Sequence, residues 1–376
     1  MNDRDRGALL GLAVGDALGT SFEFEAIQQP GFPELATGPA TDITGGGPFG
    51  LTAGQITDDT QMAVCLARSL AAHDRVLDVE DVGARYVAWS REAFDIGNQT
   101  RDAIGRIKAG TAARDAGFAT WRASGMRAAG NGSLMRTAPI AVAVARRFLH
   151  GDVLPRQGNL MTVVADAAMA ESAITHADPR CQLACAVFDV AIAISFVTEP
   201  DGSVAPVPRS APISAMRARA MHAGATAALS VATSRLIAAW PRAADATASA
   251  HDRELLAIAS ARDDLARDLE AATVDDPQLY TSELHLHDKA GFVRVALRLA
   301  FWHLLNTPSW RDAVVDTASR GGDADTNAAI VGALVGARDG ATAIPVAWSE
   351  RVLAATQRGS AAWADAHHPR HLLSIL

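Results

Sequence analysis

The periodicity of the apolar residues restricts the fold of this chain more than any other feature of the sequence. Apolar side chains recur at helical intervals through most of the 376 residues, and the alternation that half-buried strands need is scarce. Hydrophobic residues make up 49% of the chain, enough for such helices to bury a sizeable core. The sequence therefore predicts an all-α protein. The main predicted helices cover 7–19, 58–72, 79–94, 134–148, 163–176, 182–197, 291–305 and 323–335.

The first predicted helix has a face of small residues. Gly11, Gly15 and Gly19 lie four residues apart, so they share one face and let another backbone approach closely. Asp16 lies in the same apolar helix, where burying an unpaired carboxylate would be costly. We therefore expect tight packing on the glycine face, and we expect Asp16 to bond the N-terminus of a neighbouring helix.

A segment with four prolines, 200–212, interrupts the helical pattern and is typical of a linker. Two further helices are predicted after it, at 213–240 and 252–272. Since no internal repeat divides the chain, we interpret 1–376 as a single domain that carries a helical insertion at 200–280.

The charge of the chain restricts its partners. Lysine and arginine total 34 and aspartate and glutamate 42, a net charge of −8, so duplex nucleic acid finds no basic stripe to bind. The first apolar stretch is too short to span a bilayer and carries a carboxylate. We expect a cytoplasmic protein without a membrane segment, and the sequence leaves its oligomeric state open.

Two acidic clusters share one design. Thr57-Asp58-Asp59-Thr60 and Asp323-Ala324-Asp325-Thr326-Asn327 each precede an apolar helical run. Such residues cap helix N-termini, but one cap needs only one of them. Hard divalent cations such as Mg²⁺ or Mn²⁺ prefer oxygen ligands of these types, and the clusters could together hold one ion, or two that share an aspartate. The pattern alone leaves capping and a metal site open.

Other polar segments are weaker candidates. Glu23, between two phenylalanines, either faces solvent or turns into a site. The stretch 130–133, Gly-Asn-Gly-Ser, offers backbone N–H groups that suit a phosphate or a sugar hydroxyl. His176 lies at the end of a predicted helix, where a histidine is more often a partner of the helix dipole than a ligand contact. Residues 95–101 resemble an ordinary polar turn, and 24–56 a long glycine- and proline-rich loop.

Taken in order, the motifs of this sequence resemble those of the ADP-ribosylglycohydrolases, and in detail those of the type that activates dinitrogenase reductase. The resemblance runs from residue 7 to about residue 340, interrupted by 200–280. The combination of TDDT and GGDADT in this order is specific, and it favours the metal site over capping. The matching motifs are GDALGTSFEF (15–24), TDDTQMAV (57–64), FDIGNQTR (94–101), GNGSLMR (130–136), THADP (175–179) and GGDADTNAAIVGALVGA (321–337).

The resemblance implies an orthogonal bundle of helices with two Mg²⁺ or Mn²⁺ ions in a cleft. It implies that Glu23 and Asp95 are catalytic, and that the loop 45–50 closes over the substrate. The implied metal ligands are Thr57, Asp58, Asp59, Asp323, Asp325 and Thr326. The implied substrate contacts are Phe49, Asn131, Gly132, Ser133 and His176.

The expected activity is hydrolysis of the glycosidic bond of an ADP-ribosylated substrate, in the first place ADP-ribosyl-arginine on a protein, with release of ADP-ribose. Serine-linked, nucleobase-linked and small-molecule derivatives of ADP-ribose stay open as substrates. A metal-dependent phosphohydrolase would use the same hard ions but release AMP or phosphate. A silent ADP-ribose binder on the same fold is the third alternative, and the intact acidic clusters argue against it.

Overall fold

The computed structural model describes residues 3–151, 159–197, 213–242 and 247–376, which form fifteen α-helices and one short hairpin. The strands β1 (Gly45–Gly46) and β2 (Leu51–Thr52) pair antiparallel and are the only sheet among the described residues. The predicted all-α fold is therefore confirmed. The helices are α1 (Asp3–Gly19), α2 (Asp58–Ala72), α3 (Val79–Trp89), α4 (Asn98–Lys108), α5 (Ala113–Ala123), α6 (Ala138–Leu149), α7 (Leu160–Ser172), α8 (Pro179–Val197), α9 (Ile213–Ala239), α10 (Ala248–Ala271), α11 (Val293–Asn306), α12 (Trp310–Ser319), α13 (Ala324–Asp339), α14 (Val346–Ala354) and α15 (Ala361–Ala366).

Helices α1 and α13 pack antiparallel, backbone against backbone. A Cβ added at Gly11 would lie 2.1 Å from the carbonyl oxygen of Gly332, and one at Gly19 would lie 2.3 Å from that of Ala324. Real Cβ atoms do not approach other atoms so closely, so this contact requires glycine on α1. The tight packing expected of the glycine face is confirmed. Because the helices are antiparallel, the end of α1 lies beside the start of α13.

Helix α8 lies in the core beside this pair. It is long and apolar enough to cross a membrane by length and composition alone, but 83% of its apolar window is buried inside the fold. It packs against α6, α7, α9 and α11. The helix predicted at 182–197 is therefore confirmed, and the apolar surface of α8 is accounted for by packing.

The helices of the predicted insertion are joined to the core by buried ion pairs. Helix α10 packs against α8, α9 and α11. Its Asp268 is fully buried and accepts hydrogen bonds from Arg294 and Arg298 of α11. The predicted linker at 200–212 lies outside the described residues, and the single-domain assignment with an insertion at 200–280 stays a prediction.

The loop between α1 and α2 contains no α-helix, as predicted, and one buried arginine fixes its first half. Arg320 donates hydrogen bonds to the carbonyl oxygens of Pro30 (2.9 Å) and Glu34 (3.0 Å), and its guanidinium carbon lies 3.8 Å from the centre of the Phe32 ring. Asp316 orients Arg320 through two hydrogen bonds of 2.8 Å. The loop is therefore bound to the end of α12.

The sequence pattern missed five helices, α4, α5, α12, α14 and α15. The residues expected to form a polar turn at 95–101 instead lead into α4, whose first residue is Asn98. Only Thr100, Ala103 and Ile104 of α4 are buried, so its apolar stripe is too narrow to give a clear helical signal. The ten predicted helices agree with the structure except for shifts at their ends, the largest at 79–94, which ends at Trp89.

We predict that Gly11→Ala lowers the free energy of unfolding by roughly 1–3 kcal/mol, because the new methyl group forces α1 and α13 apart. Chemical denaturation measures the change. Gly105→Ala is the matched control, since Gly105 lies in α4 with no atom within 4 Å of an added Cβ. The control should be neutral or stabilising. Equal stabilities of the two variants would show that the α1–α13 contact tolerates a side chain.

Candidate active site and metal centre

A cleft of about 320 Å³ lies where the ends of α1 and the starts of α2, α4 and α13 meet the loop before α6. It brings together residues that are more than 300 positions apart in the sequence. Of the thirteen predicted site residues, those that line the cleft are Glu23, Asp58, Asp95, Asn131, Gly132, His176, Asp323, Asp325 and Thr326. Thr57 and Asp59 are fully buried beside it.

The N-terminus of α2 is capped by a carboxylate from another helix. Asp16 of α1 accepts hydrogen bonds from the backbone N–H groups of Thr57 (3.1 Å) and Thr60 (3.1 Å) and from both threonine hydroxyls. Neither Thr57 nor Asp323, the N-cap residues of α2 and α13, caps its own helix with its side chain. The role expected of Asp16 is confirmed, and capping does not account for the two acidic clusters.

Two groups of carboxylates meet at Asp325. In the group of Asp16, Asp59 and Asp325, and in the group of Glu23, Asp323 and Asp325, one oxygen of each residue lies within 4.8 Å of the others. The Thr57 hydroxyl lies 3.0 Å from Asp59 Oδ2 and 3.4 Å from Asp325 Oδ2. Since Asp16 is already satisfied by its capping bonds, the atoms free to hold a cation in the first group belong to Asp59, Asp325 and Thr57.

These carboxylates have no positive partner in the described part of the chain. No ion pair found there includes Asp16, Glu23, Asp58, Asp59, Asp95, Asp323 or Asp325. Asp59 Oδ1 and Glu23 Oε2 are buried and accept no hydrogen bond. Buried charges without partners are costly, and hard divalent cations are bound by clustered oxygen atoms of this kind. The residues therefore fit a metal centre.

The acid groups raise one another's pKa. Burial, and next the charge of Asp95, raises the pKa of Glu23 to about 9. Burial, and next the charge of Asp323, raises the pKa of Asp95 to about 6. Burial also raises the pKa of Asp58 well above its ordinary value, with the Asp95 charge as the next cause. The cleft without a cation therefore retains protons that isolated carboxyls would lose.

The loop before α6 provides neutral groups to the opposite side of the cleft. Asn131 Nδ2 donates a hydrogen bond of 2.7 Å to Asp323 Oδ2. A Cβ added at Gly132 would lie 2.9 Å from Cε1 and 3.0 Å from Nε2 of His176, so glycine leaves room for the imidazole ring. Ser133 is fully buried, accepts a hydrogen bond from Ser172 Oγ (2.9 Å) and does not line the cleft.

Phe49 does not line the cleft either. Its ring packs edge-on against Phe94 at 5.4 Å between ring centres, and its carbonyl oxygen accepts a hydrogen bond from Arg358. Gly47, in the same loop, packs against the Thr20 carbonyl, where an added Cβ would lie at 2.1 Å. Substrate contacts by Phe49 and Ser133, and closure of the loop 45–50, stay predictions.

Phe24 is a residue of the site that the sequence pattern did not indicate. Its ring is 71% exposed and lines the cleft beside Glu23. Its backbone has φ 63°, a left-handed conformation that is uncommon for phenylalanine, and its N–H donates to the Gly322 carbonyl at 2.7 Å. The only indication in the sequence is that Phe22 and Phe24 flank Glu23, and this does not show which of the two rings is exposed.

Comparison with known proteins shows the family to which the chain belongs. The model of the ADP-ribosylglycohydrolase family matches residues 1–369. The chain belongs to the ADP-ribosylglycohydrolase family. As a member of that family, the protein is a glycosidic-bond hydrolase of ADP-ribosylated substrates, and the resemblance drawn from the motifs is confirmed.

Relatives and a solved structure agree with this membership. The ADP-ribosylarginine hydrolase Tri1 of Pseudomonas putida is 28% identical over 364 residues, 93% of this chain and 74% of that protein. The ADP-ribosyl-[dinitrogen reductase] glycohydrolase of Rhodospirillum rubrum is 38% identical over 191 residues, 49% of this chain and 55% of that one. A structure described as an ADP-ribosylglycohydrolase-related protein complex is 26% identical, with a TM-score of 0.59 and coverage of 97% of both chains.

We predict that the hydrolase in EDTA loses thermal stability as the pH rises. The pKa values of Asp16 (about 6), Asp95 (about 6) and Glu23 (about 9) lie above those of the unfolded chain. The folded state therefore binds more protons than the unfolded chain. The stability that these groups contribute is complete below about pH 4 to 5, where the unfolded carboxyls are also protonated. It is lost as the pH rises to about 6 for the two aspartates and to about 9 for Glu23. Thermal unfolding at pH 5 and pH 8, with and without excess Mg²⁺, measures the effect.

A divalent cation should abolish most of that loss, because it replaces the missing positive partner. Asp325→Asn is the informative variant, since Asp325 belongs to both carboxylate groups. In EDTA at pH 8 it should be more stable than the wild type, and Mg²⁺ should stabilise it far less. Equal shifts of the melting temperature by Mg²⁺ in both proteins would place cation binding elsewhere.

Proposed function

We propose that this hydrolase cleaves the bond between ADP-ribose and an arginine side chain of a protein, using two Mg²⁺ or Mn²⁺ ions. The observation that carries the proposal is the acidic wall formed by Glu23, Asp58 and Asp95, which line the cleft without any lysine or arginine among its described lining residues. A guanidinium leaving group is cationic and therefore complementary to such a wall. The name of the Tri1 relative supports the same linkage.

The residues that would hold the ions are the six predicted from the motifs, and Asp325 belongs to both carboxylate groups. Asp59, Asp325 and the Thr57 hydroxyl come together on one side, and Asp323, Asp325 and Glu23 on the other. Asp58 and Thr326 line the cleft at the same place. When bound, the ions supply Lewis acidity and orient the ribose hydroxyls.

Carboxyl groups of the protein stabilise the positive charge of the transition state and transfer protons. Cleavage of the anomeric bond develops positive charge at the ribose, which the neighbouring carboxylates stabilise. Asp95 lies outside both carboxylate groups, so a bound cation does not compete directly for its proton. The pKa of about 9 for Glu23 applies without a cation, and a cation bound at its carboxylate group would favour the ionised form. We therefore assign to Glu23 the acceptance of a proton from the attacking water, and to Asp95 the donation of a proton to the departing guanidine nitrogen.

Incubation with matched substrates tests the linkage. We expect free ADP-ribose from an arginine-ADP-ribosylated protein or peptide, and much slower release from serine-linked and nucleobase-linked substrates. EDTA should stop the reaction, and excess Mg²⁺ or Mn²⁺ should restore it. Asp325→Ala should be inactive, and excess Mg²⁺ or Mn²⁺ should not restore its activity. Preference for another linkage would replace arginine, AMP as product would indicate a phosphohydrolase, and ADP-ribose binding without turnover of any substrate would indicate a silent binder.

The acid–base assignment predicts that Asp95→Asn and Glu23→Gln each lower kcat by about 10²–10⁴. The ionisation that belongs to Asp95 should also disappear from the pH–rate profile of Asp95→Asn, because an asparagine side chain does not titrate. Asp102→Asn is the control, because Asp102 is an exposed acid on α4, outside the cleft. A kcat of Asp95→Asn within a few-fold of the control would remove Asp95 from proton transfer.

A further inference from the structure

A buried chain of polar groups ends at the histidine of the cleft. Arg136 is fully buried, and its Nε donates to Glu171 Oε1 at 2.8 Å. Its Nη2 donates to Thr175 Oγ1, also at 2.8 Å. Thr175 Oγ1 lies 2.7 Å from His176 Nδ1. None of the groups behind the histidine belongs to the carboxylate groups or has a role in the chemistry described so far.

The orientation of Arg136 is fixed from two sides. The Tyr86 hydroxyl donates to the same Glu171 oxygen at 2.7 Å, and the Tyr86 ring lies 4.5 Å from the guanidinium carbon. Glu171 and Tyr86 are themselves fully buried. The guanidinium therefore has one arrangement available, with an N–H group directed at Thr175.

The donors and acceptors of this chain determine where the imidazole proton lies. Arginine can only donate, so Thr175 Oγ1 accepts from Arg136. The hydroxyl hydrogen of Thr175 then needs an acceptor, and His176 Nδ1 is the one within reach in the described part of the chain. A proton on Nδ1 would leave the buried hydroxyl hydrogen without a partner, which costs free energy. Nδ1 therefore accepts, and the neutral ring carries its proton on Nε2.

The other edge of the ring is directed at the substrate side. His176 lines the cleft, and its Nε2 is the ring nitrogen next to Gly130 and Gly132. No hydrogen bond to Nε2 occurs among the described residues. Burial, and next the positive charge of Arg136, lowers the pKa of His176 well below its ordinary value, so the ring stays neutral at physiological pH.

We propose that Arg136 and Thr175 are positioning residues that hold His176 as the neutral Nε2–H tautomer, so that it donates one hydrogen bond to an oxygen of the ADP-ribosyl group. The identity of that group rests on the proposed function, whereas the tautomer does not. This device gives the cleft a fixed donor without a cationic side chain. It also explains why a fully buried arginine lies so near a cleft lined by acids and neutral groups.

Nitrogen NMR of the histidine ring tests the tautomer without any turnover. In the Mg²⁺-loaded protein labelled with ¹⁵N-histidine, the His176 signals are assigned by their loss in His176→Gln. We expect Nε2 to be protonated and Nδ1 to be unprotonated near pH 7. A protonated Nδ1, or a doubly protonated ring, in the wild type would overturn the proposal, whatever the variants do.

Thr175→Val and Thr175→Ser separate the hydroxyl from the shape of the side chain. Valine removes the hydroxyl, so the ring should populate both tautomers, and Kd for ADP-ribose and KM for substrate should rise roughly tenfold, with kcat changed less. Serine should restore the wild-type spectrum and affinity. Thr233→Val, the same change at a buried threonine of α9, is the control for loss of a hydroxyl elsewhere.

These experiments distinguish failure of the positioning role from failure of the proposed function. A wild-type spectrum and affinity in folded Thr175→Val would overturn the positioning role. If Thr175→Val does not fold, the wild-type spectrum and Thr175→Ser still decide the tautomer. The expected tautomer in a protein that hydrolyses no arginine-linked substrate would contradict the proposed linkage and leave the positioning role supported.

Discussion

The active site depends on how closely the backbones of α1 and α13 approach. Glycines on α1 allow this contact, and an added Cβ at Gly15 would lie 2.1 Å from the Ala328 carbonyl oxygen. The antiparallel arrangement then places the end of α1, which carries Asp16 and is followed by Glu23, beside the start of α13, with Asp323 and Asp325. Larger residues at this contact would separate the two groups of oxygen atoms, so the geometry of the metal centre follows from the helix packing.

The same arrangement brings carboxylates close together, and a bound cation would relieve the repulsion between them. Asp16 is satisfied by the N-terminus of α2, which frees Asp58 and Asp59 from capping. Asp58 lines the cleft, and Asp59 is buried beside it. Folding therefore gathers carboxylates that repel one another and have raised pKa values. The free energy lost in this repulsion is recovered when a divalent ion binds, so cation affinity and instability without the cation have one origin.

The local features of this site could be predicted from the sequence better than its assembly. The glycine face, the capping role of Asp16 and the two acidic helix starts were visible because each is set by a few neighbouring residues. The left-handed backbone of Phe24 depends on a bond to Gly322, almost 300 residues away, so no local pattern shows it. Helix α4 was missed for a related reason, because tertiary contacts stabilise it in spite of a weak apolar pattern.

The lining of the cleft also explains how an acidic site can receive an anionic substrate. The described lining residues include acids and neutral groups such as Asn131, Gly132 and His176, but no lysine or arginine. A diphosphate would be repelled by unneutralised carboxylates, so it can bind well only where cations have already lowered the negative charge or where neutral donors are turned toward it. The same carboxylates therefore couple cation binding to substrate binding. Neutral donors form directed hydrogen bonds with the substrate, whereas a lysine ammonium acts chiefly as a point charge. A cationic side chain at the position of His176 would add positive charge to the same cleft and oppose the binding of metal ions, whereas a neutral imidazole does not.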